Sequence, residues 1–235
     1  MHHGNGIEEI HLEDPRVLYI SLHRYTEHFY PGTGAASVVG SGPGRGFNVN
    51  IPWTTPGLSD LDYSAALSTV VCPILRAFNA DILLISAGYD AVEGDPLGGM
   101  LLSPAGYHGF TEALRDCVPS RKVCALLEGG YNLGATARCA EATLRALFGD
   151  PPVPQTPSSR RLHSSTRNVL RQVVSVQREF WPQAVGLSHE AVEAACAVGA
   201  PTPEKGEATT PRRSPRMPSP KAQTPPAPPQ TPPMV

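Results

Sequence analysis

Four short apolar runs alternate with helical patterns through the first 150 residues, and this alternation constrains the fold more than any other feature. The runs have the length of β-strands and cover residues 17–22, 47–51, 82–85 and 123–127. Strands that alternate with helices predict a parallel sheet flanked by helices in an α/β domain. The first, third and fourth runs are almost continuously apolar, which predicts strands covered on both faces. Ligands of such sheets bind beyond the carboxyl ends of the strands, so the segments after Ile85 and Leu127 are candidate sites.

The helical patterns between the runs carry start and stop signals. The first begins at Asp60, a candidate cap, and continues to about residue 78, while its internal Pro73 predicts a kink or a late restart. The second begins at Ser103-Pro104, which resembles an N-cap followed by proline at the first helical position. The third covers about 133–148 and is closed by Gly149.

The composition changes beyond residue 150. A proline-containing linker comes first, and helices are predicted over about 166–180 and 188–198, the former with an apolar stripe that favours packing on the domain or on a partner. The last 35 residues contain 12 prolines and no Leu, Ile, Phe, Trp or Tyr, too little apolar surface to offset the entropy of ordering. We therefore predict three segments: an α/β domain over 1–150, a linker and helical extension over 151–200, and a disordered, basic, Pro-rich tail over 201–235.

Charge and cysteine usage argue against several classes of protein. The chain has a net charge of −2, of which the tail contributes +3 and the rest −5, and an acidic core argues against nucleic-acid binding. No uninterrupted apolar run approaches the ~18 residues of a membrane span, and the first residues lack the features of a signal peptide. The five cysteines form an odd set without a Cys-x-x-Cys pair, which favours reduced thiols in the cytosol or nucleus.

Three clusters could carry chemistry, and each also has a plainer explanation. The histidines of His2–Gly6 offer at most one metal ligand and one supporting residue, or are the remnant of a tag. Asp90 follows the third strand, where a carboxylate is costly without a cation or donors, and the alternatives of a metal ligand and a helix or turn cap are equally open. Tyr131 follows two glycines that allow a tight turn, and its phenol either faces a developing oxyanion or merely packs.

Taken together, these clusters and their neighbours form an ordered set of motifs. The set comprises His2-His-Gly-Asn-Gly6, Leu22-His-Arg-Tyr25, Phe29-Tyr-Pro-Gly32, Ser86-Ala-Gly-Tyr-Asp90, Gly94-Asp-Pro-Leu-Gly98 and Leu127-Glu-Gly-Gly-Tyr-Asn132. It resembles the zinc-dependent histone deacetylases of class II, nearest the IIb branch, over residues 2 to about 150. The resemblance implies the arginase/deacetylase α/β fold and a single catalytic zinc ion.

The resemblance also implies residue roles. His2 and Asp90 take the positions of two zinc ligands, and His3 that of a supporting residue beside the metal. Tyr131 takes the position of the tyrosine that hydrogen-bonds the tetrahedral oxyanion. The positions that line the acetyl-lysine tunnel are Tyr30, Leu97 and Gly130. Structural potassium is implied at two sites, one formed by the Ser21 hydroxyl with the carbonyls of His2 and Leu22, the other by the carbonyls of His11, Asp14, Val17 and Phe47.

Further residues of the family pattern are expected upstream of Met1. In the family the first zinc ligand is an aspartate two residues before the histidine that His2 matches, and a pair of catalytic histidines lies further upstream. The sequence is therefore expected to represent the carboxyl-terminal half to two-thirds of a catalytic domain.

Three functions from different classes remain open. The first is a protein-lysine deacetylase acting on histones or other acetylated proteins in the nucleus or cytoplasm. The second is an inactive isoform or scaffold that binds co-repressor or other partners through its tail, where Pro225–Pro229 has Pro-x-x-Pro-like spacing. The third, weaker option is an acetylpolyamine deacetylase with Glu93 or a residue elsewhere as acidic gatekeeper. Proline-directed phosphorylation of the tail is suggested at Ser214, Ser219, Thr224 and Thr231.

Overall fold

The computed structural model describes residues 1–152 and 160–197. The strands are β1 (Tyr19–Arg24), β2 (Asn48–Trp53), β3 (Leu83–Ala87) and β4 (Val123–Leu127). The helices are α1 (Asn5–His11), α2 (Asp60–Ala66), α3 (Cys72–Phe78), α4 (Pro104–Asp116), α5 (Leu133–Phe148), α6 (Thr166–Gln177) and α7 (His189–Ala197). The tail predicted to be disordered lies outside the described residues.

The strands form two parallel pairs. β1 pairs with β2 from Tyr19 opposite Asn48 to Arg24 opposite Trp53. β3 pairs with β4 in the same parallel sense, with α4 in the connection between them. The prediction of a parallel α/β fold is confirmed, and each parallel pair brings its carboxyl ends to one edge.

Burial differs from the sequence prediction. β2 is the strand with all six residues buried, whereas β1 alternates between buried and half-buried residues and β3 and β4 are partly exposed. The prediction that the runs 17–22, 82–85 and 123–127 are covered on both faces is therefore wrong. In the register, exposed Leu84 lies opposite exposed Cys124 and exposed Ser86 opposite exposed Leu126, while Leu127, also exposed, lies opposite buried Ala87.

The long apolar helix is interrupted near its proline, as predicted. A π-helical turn over 67–71 separates α2 from α3 just before Pro73, which has no N–H to donate. The cap is Ser59 rather than Asp60, since Ser59 and Asp62 form a reciprocal capping box. The run 60–78 is long and apolar enough to cross a membrane by length and composition, but two-thirds of it is buried in the domain, as in a core helix.

The helical extension packs on the domain. The Gln177 side-chain amide donates to the Asn48 carbonyl at 2.9 Å, and the Trp181 indole N–H donates to the Gly46 carbonyl at 2.9 Å. The apolar stripe of α6, including Val169 and Val173, is buried. Of the two packing alternatives for this stripe, the structure shows packing on the domain.

Candidate active site

The segment after β3 and the first residues of the chain meet at one point. Asp90 is buried, and its Oδ2 lies 2.9 Å from Nδ1 of His2. Its other oxygen, Oδ1, lies 3.1 Å from the amino group of Met1. The Met1 carbonyl in turn accepts a hydrogen bond from the Arg24 amide at the end of β1. The carboxyl ends of β1 and β3 thus converge on the His2–Asp90 pair.

Two glycines make room for the Asp90 carboxylate. A Cβ on Gly129 would lie 2.8 Å from Asp90 Oδ2, and a Cβ on Gly88 would lie 3.0 Å from Oδ1. Both approaches are tighter than side-chain carbons ordinarily make, so a residue with a Cβ would displace the carboxylate. The glycine turn after β4 therefore serves close approach to Asp90.

Tyr131 lies on this same turn and is 54% exposed. Gly130, immediately before it, has φ of +140°, a conformation that favours glycine. Asn132, immediately after it, caps α5 by accepting a hydrogen bond from the Ala135 amide at 3.2 Å. Tyr131 is therefore not packed in the core, and the contact of its phenol with a ligand stays a prediction.

The aromatic residues after β1 surround His2. The His2 ring stacks on Phe29 with centroids 4.8 Å apart, and Tyr30 meets the His2 ring edge-on at 6.3 Å. The Arg24 guanidinium lies 4.5 Å from the centre of the Phe29 ring, a cation–π distance. Tyr30 and Leu97, both predicted to line a tunnel, are largely exposed. No contact was predicted for Phe29 or Arg24 from the sequence, although both lie within the motifs Phe29-Tyr-Pro-Gly32 and Leu22-His-Arg-Tyr25.

The second histidine lies in a buried polar cluster. His3 Nδ1 is 2.8 Å from Thr33 Oγ1, and its Nε2 is 3.3 Å from a carboxylate oxygen of Glu8. The Asn50 side-chain amide donates to the other oxygen of Glu8 at 2.6 Å. Burial alone would raise the pKa of Glu8, but hydrogen bonds from His3 and Asn50 hold it below its ordinary value. The contacts of His3 therefore anchor the chain beside His2.

Acid is expected to destabilise the domain through His23. This buried ring donates from Nε2 to the Gly34 carbonyl at 2.9 Å, and burial, followed by the neighbouring His3, lowers its pKa to about 4. An unfolded histidine titrates near 6.5, so the unfolded chain binds more protons between about pH 6.5 and 4, and stability falls as pH drops through that window. Between pH 7 and 4, wild type should lose about 3 kcal/mol more free energy of unfolding than His23→Gln, which keeps a donor for Gly34. Urea denaturation at both pH values measures this, and equal losses in the two proteins would contradict it.

The residues implied in potassium binding lie on two parts of the fold. The His11 carbonyl accepts from the Asp14 amide and the Asp14 carbonyl from the Val17 amide, in the turns that follow α1. The Phe47 carbonyl accepts from the Tyr19 amide at 2.9 Å. On β1, Ser21 Oγ lies 2.9 Å from a ring nitrogen of His23, and Leu22 follows it. Both potassium sites stay predictions.

The His2–Asp90 pair offers the donor types that zinc takes, an imidazole nitrogen and a carboxylate oxygen. Within residues 1–152 and 160–197, no group of three or more His, Cys, Asp or Glu side chains is arranged to hold a metal ion. The pair therefore fits zinc in kind, and a complete site would need a further donor.

These features define a parallel α/β protein with an imidazole–carboxylate pair where its strands end. The family model of the histone deacetylase domain matches residues 1–147. The chain belongs to the histone deacetylase family, which confirms the resemblance drawn from the motifs.

Named relatives agree with this assignment. Histone deacetylase 15 of Arabidopsis thaliana is 45% identical over 183 residues, which cover 77% of this chain and 33% of that protein. Histone deacetylase HDA1 of Candida albicans is 39% identical over 184 residues, covering 77% and 22%. The chain thus spans between about a fifth and a third of the length of these curated relatives.

Two solved structures match the fold. The crystal structure of the HDA15 HD domain has 41% identity and a TM-score of 0.73, covering 82% of this chain and 52% of that one. The structure of the histone deacetylase Clr3 has 40% identity and a TM-score of 0.74, covering 78% and 31%. The prediction of a deacetylase-type fold is therefore confirmed.

Proposed function

We propose that this chain supplies the zinc-binding and oxyanion-binding part of a class II protein-lysine deacetylase. Its substrates would be histones and other acetyl-lysine proteins, with a role in chromatin and transcription regulation in the nucleus, the cytoplasm or both. The observation that carries the proposal is the convergence of His2, Asp90 and the Tyr131 turn in a chain of the histone deacetylase family.

Each residue has a chemical task in this proposal. His2 and Asp90 would hold zinc, which when bound polarises the acetyl carbonyl and makes a water more acidic. The Tyr131 phenol donates a hydrogen bond to the carbonyl oxygen as negative charge develops on it. The apolar surfaces of Tyr30 and Leu97 suit the aliphatic stem of acetyl-lysine. Proton transfer is left to the paired histidines that the family resemblance places upstream.

The role of Tyr131 can be tested in a chimera that joins the preceding residues of the HDA15 HD domain to residue 1. Tyr131→Phe should lower kcat by about 10²–10³-fold, the usual effect of losing one oxyanion donor, while KM and zinc content stay close to those of the parent. Tyr63→Phe is the matched control, since it removes a buried phenol hydroxyl of the core. Unchanged turnover in Tyr131→Phe would exclude the proposed role.

The environment of Glu93 argues against a preference for polyamines that rests on this residue. Its carboxylate lies 2.5 Å from the Arg160 guanidinium, and the hydrogen bond from Arg160 holds the pKa of Glu93 below its ordinary value. A carboxylate already engaged by arginine is a poor gatekeeper for a cationic polyamine. Comparing the chimera on acetyl-lysine peptide and on acetylated polyamine tests this preference.

A scaffold function is the second candidate, and the Pro-x-x-Pro-like spacing of Pro225–Pro229 in the sequence favours it. The Pro-x-x-Pro-like and phosphorylation motifs that accompany this hypothesis lie outside the described residues. Zinc-dependent turnover by residues 1–235 alone would exclude a purely non-catalytic role.

A further inference from the structure

One buried carboxylate joins two loops of the proposed site. Asp95 lies between β3 and α4 and is 8% exposed. Its Oδ1 accepts hydrogen bonds from the Leu97 amide at 2.8 Å and the Gly98 amide at 3.0 Å. Its Oδ2 accepts from the Tyr131 amide at 2.8 Å. The same carboxylate therefore contacts the loop that carries Leu97 and the turn that carries Tyr131.

The hydrogen bonds that Asp95 accepts differ from those of an aspartate that only caps its own turn. An aspartate that caps its own turn accepts from amides two or three residues on, and Oδ1 of Asp95 does this. Oδ2 instead accepts a hydrogen bond from the amide of Tyr131, 36 positions further along the chain. A second bond links the same two segments, since the Asn132 side-chain amide donates to the Gly94 carbonyl at 3.0 Å.

The charge of Asp95 suits this task. Burial alone would raise its pKa, but the backbone hydrogen bonds, that of Tyr131 first, lower it below the ordinary value. An ionised carboxylate accepts at both oxygens, and charge-assisted bonds are about twice as strong as neutral ones. The link between the loops is therefore maintained at neutral pH.

We propose that Asp95 is a positioning residue that holds the Tyr131 backbone at a fixed place relative to the Leu97 loop. The oxyanion donor and the tunnel wall then move as one unit, which matters because a displacement of about 1 Å can cost 10²-fold in rate. The catalytic meaning of this link rests on the function proposed for Tyr131, but the link itself does not.

Amide hydrogen exchange on residues 1–235 tests the link without zinc or substrate. In Asp95→Ala, the amides of Leu97, Gly98 and Tyr131 should exchange about 10- to 100-fold faster, because each loses a bond to a charged acceptor. Amides of β2 should keep their wild-type rates, as should all amides in the exposed control Asp116→Ala. If exchange becomes faster at Leu97 and Gly98 alone, Asp95 is only a turn cap. If exchange becomes faster throughout β2, the substitution destabilises the whole domain. Either result overturns the proposal.

Two further measurements apply if Asp95→Ala does not fold. Asp95→Asn keeps a single acceptor oxygen, so protection should be lost on one of the two loops, and protection retained on both would contradict the link. In the wild-type chain the Tyr131 amide should be protected, and exchange at the unprotected rate would also contradict it.

The positioning role has its own readout in the chimera. If Asp95 acts through Tyr131, Asp95→Asn should lower kcat but have little further effect in a Tyr131→Phe background. Fully additive effects would show that Asp95 acts elsewhere. Failure of Tyr131→Phe to lower kcat would instead remove the proposed function and leave the exchange result standing.

Discussion

A single aspartate placed immediately before Met1 is expected to tighten zinc binding by this chain more than about 100-fold. The family resemblance puts the first zinc ligand two residues before His2, which is this position. Loss of even a supporting partner costs about 10–100-fold in metal affinity, so gain of a direct ligand should exceed that. The new peptide bond also turns the Met1 amino group, 3.1 Å from Asp90 Oδ1, into a neutral amide and leaves that oxygen for the metal.

Competition titration against a chromophoric chelator measures the zinc affinity. The matched control places asparagine at the same position, which makes the same peptide bond without the charge. Equal zinc affinities for the two chains would contradict the prediction. Turnover should stay low in both chains, because neither variant adds the paired histidines assigned to proton transfer. A positioned proton-transfer group contributes about 10²–10⁴-fold to the rate.

Asp62→Ala is expected to lower the free energy of unfolding by about 3–5 kcal/mol, because several buried donors lose their acceptor at once. Asp62 is fully buried. Its Oδ2 accepts from the Ser59 amide at 2.8 Å, while Oδ1 accepts from the His163 amide at 2.7 Å and the Thr166 hydroxyl at 2.6 Å. Removing the carboxylate leaves these donors buried without an acceptor, each at a cost of about 1–3 kcal/mol.

Urea denaturation followed by the fluorescence of Trp53 and Trp181 measures this loss. Asp116→Ala is the matched control, and as an exposed aspartate it should change stability by less than about 0.5 kcal/mol. A loss below about 1 kcal/mol in Asp62→Ala would mean that water or relaxation satisfies the freed donors.

Elements with strong local signals could be predicted from the sequence. β4 and α5 have the predicted bounds, because the glycine pair after Leu127 and the αL glycine at 149 mark their ends. Helix α1 was not predicted, because it is only seven residues long and has no side-chain cap on its first turn. The exposure of β3 could not be predicted, since the apolar content of a strand does not tell which other elements cover it.

The candidate site likewise contains residues that the sequence could identify and contacts that it could not. His2, Asp90 and Tyr131 stand in motifs with fixed local spacing, so the sequence could identify them as candidates. The contact between Asp95 and Tyr131 joins residues 36 positions apart through a backbone amide, which leaves no side-chain pattern in the sequence. The same is true of the bonds from Asp62 to His163 and Thr166, since backbone and hydroxyl donors occur everywhere along a chain.

Because α6 packs on β2, the folded domain extends beyond the residues that match the family model. The family model ends at residue 147, yet Leu170, Val173 and Val174 are fully buried beyond it. A fragment cut at residue 147 would strip these side chains from the core and uncover β2. Expression boundaries chosen from the family match alone would thus end about 50 residues before the end of α7, the last helix in the described part of the chain.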